Sequence, residues 1–419
     1  MNTTPTAISF AVIMLASLSL PTIFSSSYGQ QLVQTIHKRD LTIELDTQQQ
    51  IQTRAQLTMP AVGNGPFPAV LLIHGSGAAD MDGYIPPELS GTKDGARIFW
   101  QIAEYLSERG FVVLRYDKRG VGENATILNP DVLGNATVQK LQADADVALD
   151  VLLQQPEVDR ENITLLGISE GTTIAPRIAA ERPDNVKNIV LMGAAAQTLY
   201  EIMHANLVNR TVLFGRELWD DNHDGLLSLQ EVLAHPGEYL TVPTSPPPAA
   251  ATGDNATRSG SNNTMVSNGD MITSSNMSSA QPITQQQWYP GLDANNDNLI
   301  EIDQELTPFA LALFEQTAAD PWLQSHRQIE PNLIAIEKLK PTTTRVVILQ
   351  GEEDDQTYLE QALLLEQKLT QMKYPDHTLI TYPGLGHTFH PAQGLLQPLG
   401  PIEEYVLADL HAWLKDSYG

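Results

Sequence analysis

The pentapeptide Gly167-Ile168-Ser169-Glu170-Gly171 constrains this chain more than any other stretch. An apolar run, 163–166, leads into it and small residues at helical spacing follow, so the backbone has to turn from strand to helix within a few residues. Glycines stand at the two positions where a Cβ would collide with neighbouring backbone, and the turn leaves the Ser169 hydroxyl exposed at the sheet edge. The helix behind it presents free N–H groups and a positive dipole end to any negative charge developing there. Taken alone, Gly-x-Ser-x-Gly also fits an ordinary turn, so its weight rests on what surrounds it.

The 419 residues suffice for one large α/β domain with an insertion, or for two domains. A net charge of −26 without a Lys/Arg cluster argues against nucleic acid and anionic membrane surfaces as partners and favours cations. There is no cysteine, hence no disulfide framework, thiolate metal site or cysteine nucleophile. Residues 8–20 form an apolar run too short for a comfortable membrane span, and small residues lie between it and a polar start at Gln30. We read 1–29 as an export signal cleaved near Gly29, which makes the expected location secreted or extracytoplasmic with no membrane span after cleavage. No Lys or Arg precedes Lys38, so the usual basic leader is missing and retention as an N-terminal anchor is the alternative. Asn-x-Ser/Thr sequons at Asn124, Asn135, Asn162, Asn209, Asn255, Asn262 and Asn276 suit an exported chain without adding much.

Alternating apolar residues over 34–58 predict two antiparallel strands. Pro66 and Pro68 then flank a break, and the continuous apolar run 69–73 predicts a strand buried on both faces, ending in His74-Gly75-Ser76-Gly77. A helix is expected over 95–109, stopped by Gly110, then a strand over 111–114 that runs into Arg115-Tyr116-Asp117-Lys118-Arg119-Gly120-Val121-Gly122. A helix over 138–155, the strand before Ser169 and a strand over 189–192 continue the rhythm of a parallel sheet covered on both faces.

The His-Gly-Ser-Gly segment, the 115–122 segment and Gly167 to Gly171, in this order, resemble the α/β-hydrolase fold, closest to its esterase and serine-aminopeptidase-like branch. The resemblance implies an α/β doubly wound, mostly parallel sheet, and an oxyanion hole made by the backbone N–H groups of Ser76 and Glu170. It also implies that His74 is structural and that Asp117 and Arg119 stabilise the fold through an ion pair or capping network. The other members of a catalytic triad are then expected downstream in the order Ser, acid, His. A β-run over 345–349 delivers Gly351-Glu352-Glu353-Asp354-Asp355, where the family's Gly-x-x-Asp turn selects Asp354 over its rival Asp355. A strand over 377–381 is followed by Gly386-His387, which matches the family's histidine; His390 is the other candidate. The closing helix, 402–414, is expected to bury Tyr405, Val406, Leu410 and Trp413.

Between the two halves the chain leaves the sheet, at a place where the resembling family inserts lids. Asp220-Asp221-Asn222-His223-Asp224-Gly225-Leu226-Leu227-Ser228-Leu229-Gln230-Glu231 fits the twelve-residue EF-hand loop. Oxygens would come from Asp220, Asn222, Asp224, the Leu226 carbonyl, Ser228 and Glu231, and a helix is expected over 199–219 ahead of the loop. A second loop starting at Asp293 offers Asp293, Asn295, Asp297, the Leu299 carbonyl and Glu301. It departs from the pattern in Asn298, which replaces Gly, and Gln304, which replaces the bidentate Glu, with Glu305 one place too late. Weaker binding, or a purely structural loop, is expected there. A second helix is expected over 302–317. Residues 241–287, rich in Ser, Thr, Asn, Pro and Gly, lack the apolar residues needed to fold and read as a disordered linker.

The expected organisation is therefore an N-terminal part of the core at 30–196, a largely helical lid insertion with two EF-hand-like loops at 197–340, and a C-terminal part of the core at 341–419. The expected chemistry is hydrolysis of carboxylic esters through Ser169, His387 and Asp354 by way of an acyl-enzyme, with Ca2+ structural in the lid and no cofactor for catalysis. A serine peptidase or amidase acting on small peptides shares the same triad, and an acyltransferase differs only in excluding water. A calcium-binding surface protein on a non-catalytic hydrolase scaffold is the reading from another class.

Overall fold

In the computed structural model the described residues are 35–235, 244–245, 287–288, 291–339, 343–393 and 398–418. The expected export signal, 1–29, lies outside them. Eight strands make one sheet, numbered here in chain order: β1 (Ile36–Asp46), β2 (Ile51–Pro60), β3 (Phe67–Ile73), β4 (Val112–Tyr116), β5 (Val158–Ile168), β6 (Asn188–Met192), β7 (Arg345–Gly351) and β8 (His377–Tyr382). Their spatial order is β1-β2-β4-β3-β5-β6-β7-β8. The hairpin β1–β2 is antiparallel and β2 meets β4 antiparallel, while every pairing from β4 to β8 is parallel.

The central strands carry apolar residues on both faces because both faces are covered. In β3, Ala69, Leu71 and Ile73 join one core with the helices Val138–Leu153, Gly171–Glu181 and Leu359–Gln371. Val70 and Leu72 point the other way, into a second core with the helices Ile98–Ser107 and Glu404–Tyr418. The same alternation recurs in β7, where Val346 and Ile348 face the first core and Val347 and Leu349 the second. Each such fully buried aliphatic side chain contributes about 1.5 to 3 kcal/mol.

The closing helix corrects one expectation. It begins at Glu404, and Tyr405 is 49% exposed, not part of the buried stripe. At helical spacing the buried line is Val406, Leu407, Leu410 and Leu414, and Tyr405 sits off it, its ring 6.0 Å from that of Tyr382.

The inserted region is helical and has a core of its own. Its first arm, Leu199 onward, runs without a break to Trp219, with the turns Ala205–Asn209 and Gly215–Trp219 widened to π-type hydrogen bonding. A capping box of Thr198 and Glu201 starts it. Trp219, Leu227, Val232, Leu292, Ile300, Ile302 and Leu306 are buried together. Thr244 and Ser245 pair antiparallel with Trp288 and Gln287, near the two ends of the stretch read as a linker, and the rest of that stretch lies outside the described residues. After the helix Thr307–Ala318, the helix Pro321–Gln328 and residues up to Leu339 return to the main sheet, where Ile336 and Leu339 join the first core. No helix of the described residues is long and apolar enough to cross a membrane.

Candidate active site

Strand β5 ends at Ile168 and the helix Gly171–Glu181 begins almost at once, so Ser169 takes a left-handed φ of 54°. A non-glycine residue held there costs about 1 to 3 kcal/mol, which the surroundings impose. A Cβ on Gly171 would run into the Ile73 carbonyl of β3, and one on Gly167 into the Gly171 carbonyl. The Ser169 N–H donates to the Met192 carbonyl at 3.0 Å, and the side chain is half-buried, within reach of solvent. The loop after β3 passes close by: a Cβ on Gly75 would lie 3.1 Å from the Ser169 Cβ. Among the described residues neither the Ser76 nor the Glu170 N–H donates a hydrogen bond within the protein, so both donors are unspent.

Strand β7 delivers Asp354 and the loop after β8 delivers His387. The His387 Nδ1 lies 2.9 Å from Asp354 Oδ1 and 2.8 Å from Oδ2, with both side chains buried. Asp354 also accepts from the Thr357 N–H at 2.9 Å, the Gln356 N–H at 2.9 Å, Thr357 Oγ1 at 2.9 Å and Gln350 Nε2 at 3.0 Å. Burial draws the His387 pKa down, but the charge of Asp354 and its hydrogen bond outweigh this and leave it above the ordinary histidine value. For Asp354 burial acts upward, and His387 with the backbone donors holds the carboxyl below its usual range. Gly193, at φ 61°, follows the Met192 that receives the Ser169 N–H, and a Cβ there would lie 3.1 Å from His387 Cε1. Ser169 and His387 thus border the same stretch of backbone, with no hydrogen bond between them among the described residues. Such bonds are often long before substrate binds.

The other candidates lie elsewhere. His390 turns its Nδ1 to the Pro401 carbonyl at 3.1 Å. Asp355 faces Arg210 of the inserted region, at 3.8 Å, and its carbonyl accepts from the same guanidinium at 2.9 Å. His74 is buried, stacked on Phe99, and gives its Nε2–H to the Tyr116 carbonyl at 2.5 Å; burial lowers its pKa to about 4. Asp117 pairs with Arg54 at 2.7 Å, and Arg119 with Asp144, both from inside the fold.

The two EF-hand-like loops lie side by side. Leu226–Ser228 and Leu299–Glu301 pair antiparallel, with Leu227 opposite Ile300, both buried. Their internal hydrogen bonds correspond residue for residue: Asp220 accepts from Asp224 N–H and Gly225 N–H, Asp293 from Asp297 N–H and Asn298 N–H. Gly225 at φ 83° and Asn298 at φ 67° make the same left-handed turn, so the Asn is tolerated. Sequence spacing missed Glu305. A π-type turn at Ile302–Leu306 takes up one residue, and the Glu305 carboxylate then receives the N–H groups of Ala294 at 2.8 Å and Glu301 at 2.9 Å. Ser228 caps its helix and Glu231 Oε2 accepts from the Ser228 N–H at 2.8 Å. No three acidic or histidine side chains among the described residues converge as a metal site. The donor chemistry, all hard oxygen, suits calcium.

Residues 68–234 match the alpha/beta hydrolase fold family. Esterase EstD of Thermotoga maritima is 39% identical over 153 residues, 36% of this chain and 32% of that protein. Esterase FrsA of Yersinia pestis is 28% identical over 137 residues, 33% of this chain and 28% of FrsA. The chain thus spans about a third of the length of these curated relatives. Among solved structures, Est1E of Butyrivibrio proteoclasticus is 14% identical with a TM-score of 0.44, covering 90% of this chain and 98% of Est1E. An acylaminoacyl peptidase of Pyrococcus horikoshii is 12% identical with a TM-score of 0.44, covering 85% of this chain and 39% of the peptidase. The chain has the α/β-hydrolase fold, with a mostly parallel eight-stranded sheet.

Proposed function

We propose that this chain is an exported serine hydrolase that cleaves carboxylic esters through Ser169, His387 and Asp354. The observation that carries the reading is the buried pairing of Asp354 with His387 Nδ1, beside the backbone that holds the elbow of Ser169. Similarity of the matched segment to two esterases supports esters as the substrate class.

The chemistry follows from the groups available. A serine hydroxyl is protonated near neutral pH, so His387 Nε2 takes its proton as Oγ attacks the ester carbonyl carbon. Asp354, on Nδ1–H, holds the tautomer and stabilises the imidazolium. The oxyanion of the tetrahedral intermediate lies at the unspent N–H groups of Ser76 and Glu170, and losing one such donor costs about 3 to 4 kcal/mol. The C–O bond to the alcohol then breaks, and the alcohol leaves with the proton from His387. Water, deprotonated by His387, attacks the acyl-serine; the acid departs and Ser169 regains its proton.

Calcium is proposed for the inserted region, held in the first loop by Asp220, Asn222, Asp224, the Leu226 carbonyl, Ser228 and Glu231. In the second loop Asp293, Asn295, Asp297, the Leu299 carbonyl and Glu301 are the proposed donors, and Glu305 becomes one only by giving up the Ala294 and Glu301 N–H groups it accepts here. The ion supplies charge neutralisation and loop order and takes no part in the reaction. The test is hydrolysis of p-nitrophenyl esters from acetate to laurate by the chain lacking residues before Gln30, with calcium and with chelator, beside Ser169→Ala. Turnover that needs Ser169 is expected, and a fall in chelator is expected if calcium orders the lid. A folded protein that turns over none of the esters in calcium sinks the proposal, and small peptide amides become the next substrates to try.

A further inference from the structure

Behind the candidate oxyanion hole lies a buried charged cluster that the triad does not use. The Glu170 side chain, immediately after Ser169, is fully buried. Its Oε2 receives Lys118 Nζ at 3.1 Å, and its Oε1 receives Trp322 Nε1 at 2.6 Å and His326 Nε2 at 2.8 Å. Burial pushes the Glu170 carboxyl up, but Lys118, His326 and Trp322 together bring it down to about 2, so it is ionised. Lys118 lies two residues beyond the end of β4, and its Nζ also donates to the Gly75 carbonyl at 2.6 Å. Trp322 and His326 come from Pro321–Gln328, the helix by which the chain returns from the inserted region.

A buried ion pair is a poor device for stability alone, since an apolar pair of equal volume serves as well or better. Its value here lies in what it holds. The Gly75 carbonyl and the Ser76 N–H belong to one planar trans peptide and point in opposite directions. Fixing the carbonyl on Lys118 therefore fixes the direction of the Ser76 N–H, and the cation polarises that peptide so that the N–H becomes a stronger donor. Glu170 fixes Lys118 and carries the other unspent N–H on its own backbone. The carboxylate is completed by two donors from the returning helix.

We infer that Lys118 and Glu170 are positioning residues for the oxyanion hole, and that Trp322 and His326 register the returning helix of the inserted region to it. The inference rests on Ser169 being the nucleophile. It is tested by measuring kcat and KM for p-nitrophenyl acetate, and the affinity for phenylboronic acid, which forms a tetrahedral adduct on the serine, in Lys118→Met and Trp322→Phe. Lys118→Met is expected to lower kcat on the order of 10²-fold, the effect of a lost oxyanion donor, with little change in KM and a parallel loss of boronic acid affinity. Trp322→Phe keeps an aromatic ring in place and removes one N–H from the Glu170 carboxylate; a severalfold loss in kcat and boronic acid affinity, with folding checked by the melting temperature, is expected. The double variant is expected to lose less than the product of the two. An active wild type beside folded variants that keep its kcat and boronic acid affinity overturns the inference. If Lys118→Met does not fold, Trp322→Phe decides the matter by the same readouts. A wild type that neither turns over nor binds the boronic acid overturns the Ser169 reading and this one with it.

Discussion

At the scale of single residues the pair His387–Asp354 sets the clearest expectations. The base proposed here, His387, works only when neutral, and its pKa is raised above the ordinary value of about 6.5. Activity therefore switches on with rising pH, and the acid limb of kcat/KM is expected to have its midpoint above that value; a limb below it contradicts the assignment. Asp354→Asn leaves the hydrogen-bond geometry but favours the wrong tautomer, and kcat is expected to fall by roughly 10³- to 10⁴-fold. Gly193→Ala adds a Cβ 3.1 Å from His387 Cε1 at a φ of 61°. We expect a loss of kcat of about tenfold or more with a lower melting temperature, measured side by side, because both strain and displacement of the ring act there. Asp354 was legible from its Gly-x-x-Asp turn. The enclosure that holds the pair together was not, because it depends on residues as distant as Gln350, Thr357 and Gly193 closing around it.

At the scale of elements, the two EF-hand-like loops behave as one unit. Their short strands pair through Leu227 and Ile300, and each loop buries the partner's central side chain in the same small core. Leu227→Ala is expected to cost about 2 to 5 kcal/mol in denaturant unfolding. Calcium binding of the strength common in extracellular modules, with dissociation constants of about 0.1 to 1 mM, adds about 1.4 to 2.7 kcal/mol at ~10 mM calcium. A rise in melting temperature with calcium is therefore expected, removed by Asp220→Ala; no rise in the unaltered protein rejects the proposed metal. The first loop was readable because its demands fall at fixed spacings. Glu305 was not, since a π-type turn moves it by one residue and local sequence does not announce such turns.

At the scale of the whole molecule, a net charge of −26 stores self-repulsion in the folded state. Moderate sodium chloride screens it, so the melting temperature is expected to rise between low and physiological ionic strength, measured with calcium held constant. The order of strands and helices, the elbow and the oxygen-rich loops were determined by the sequence itself, because each depends on periodicity or on residue types at short fixed spacing. The tertiary structure decided the rest. It set His387 on the Asp354 carboxylate and Arg210 beside that of Asp355. It moved Tyr405 out of the core, and it brought Lys118, Trp322 and His326 onto Glu170. Those contacts join residues far apart in the chain, and a buried charge finds its partner only where packing excludes water and leaves it no other.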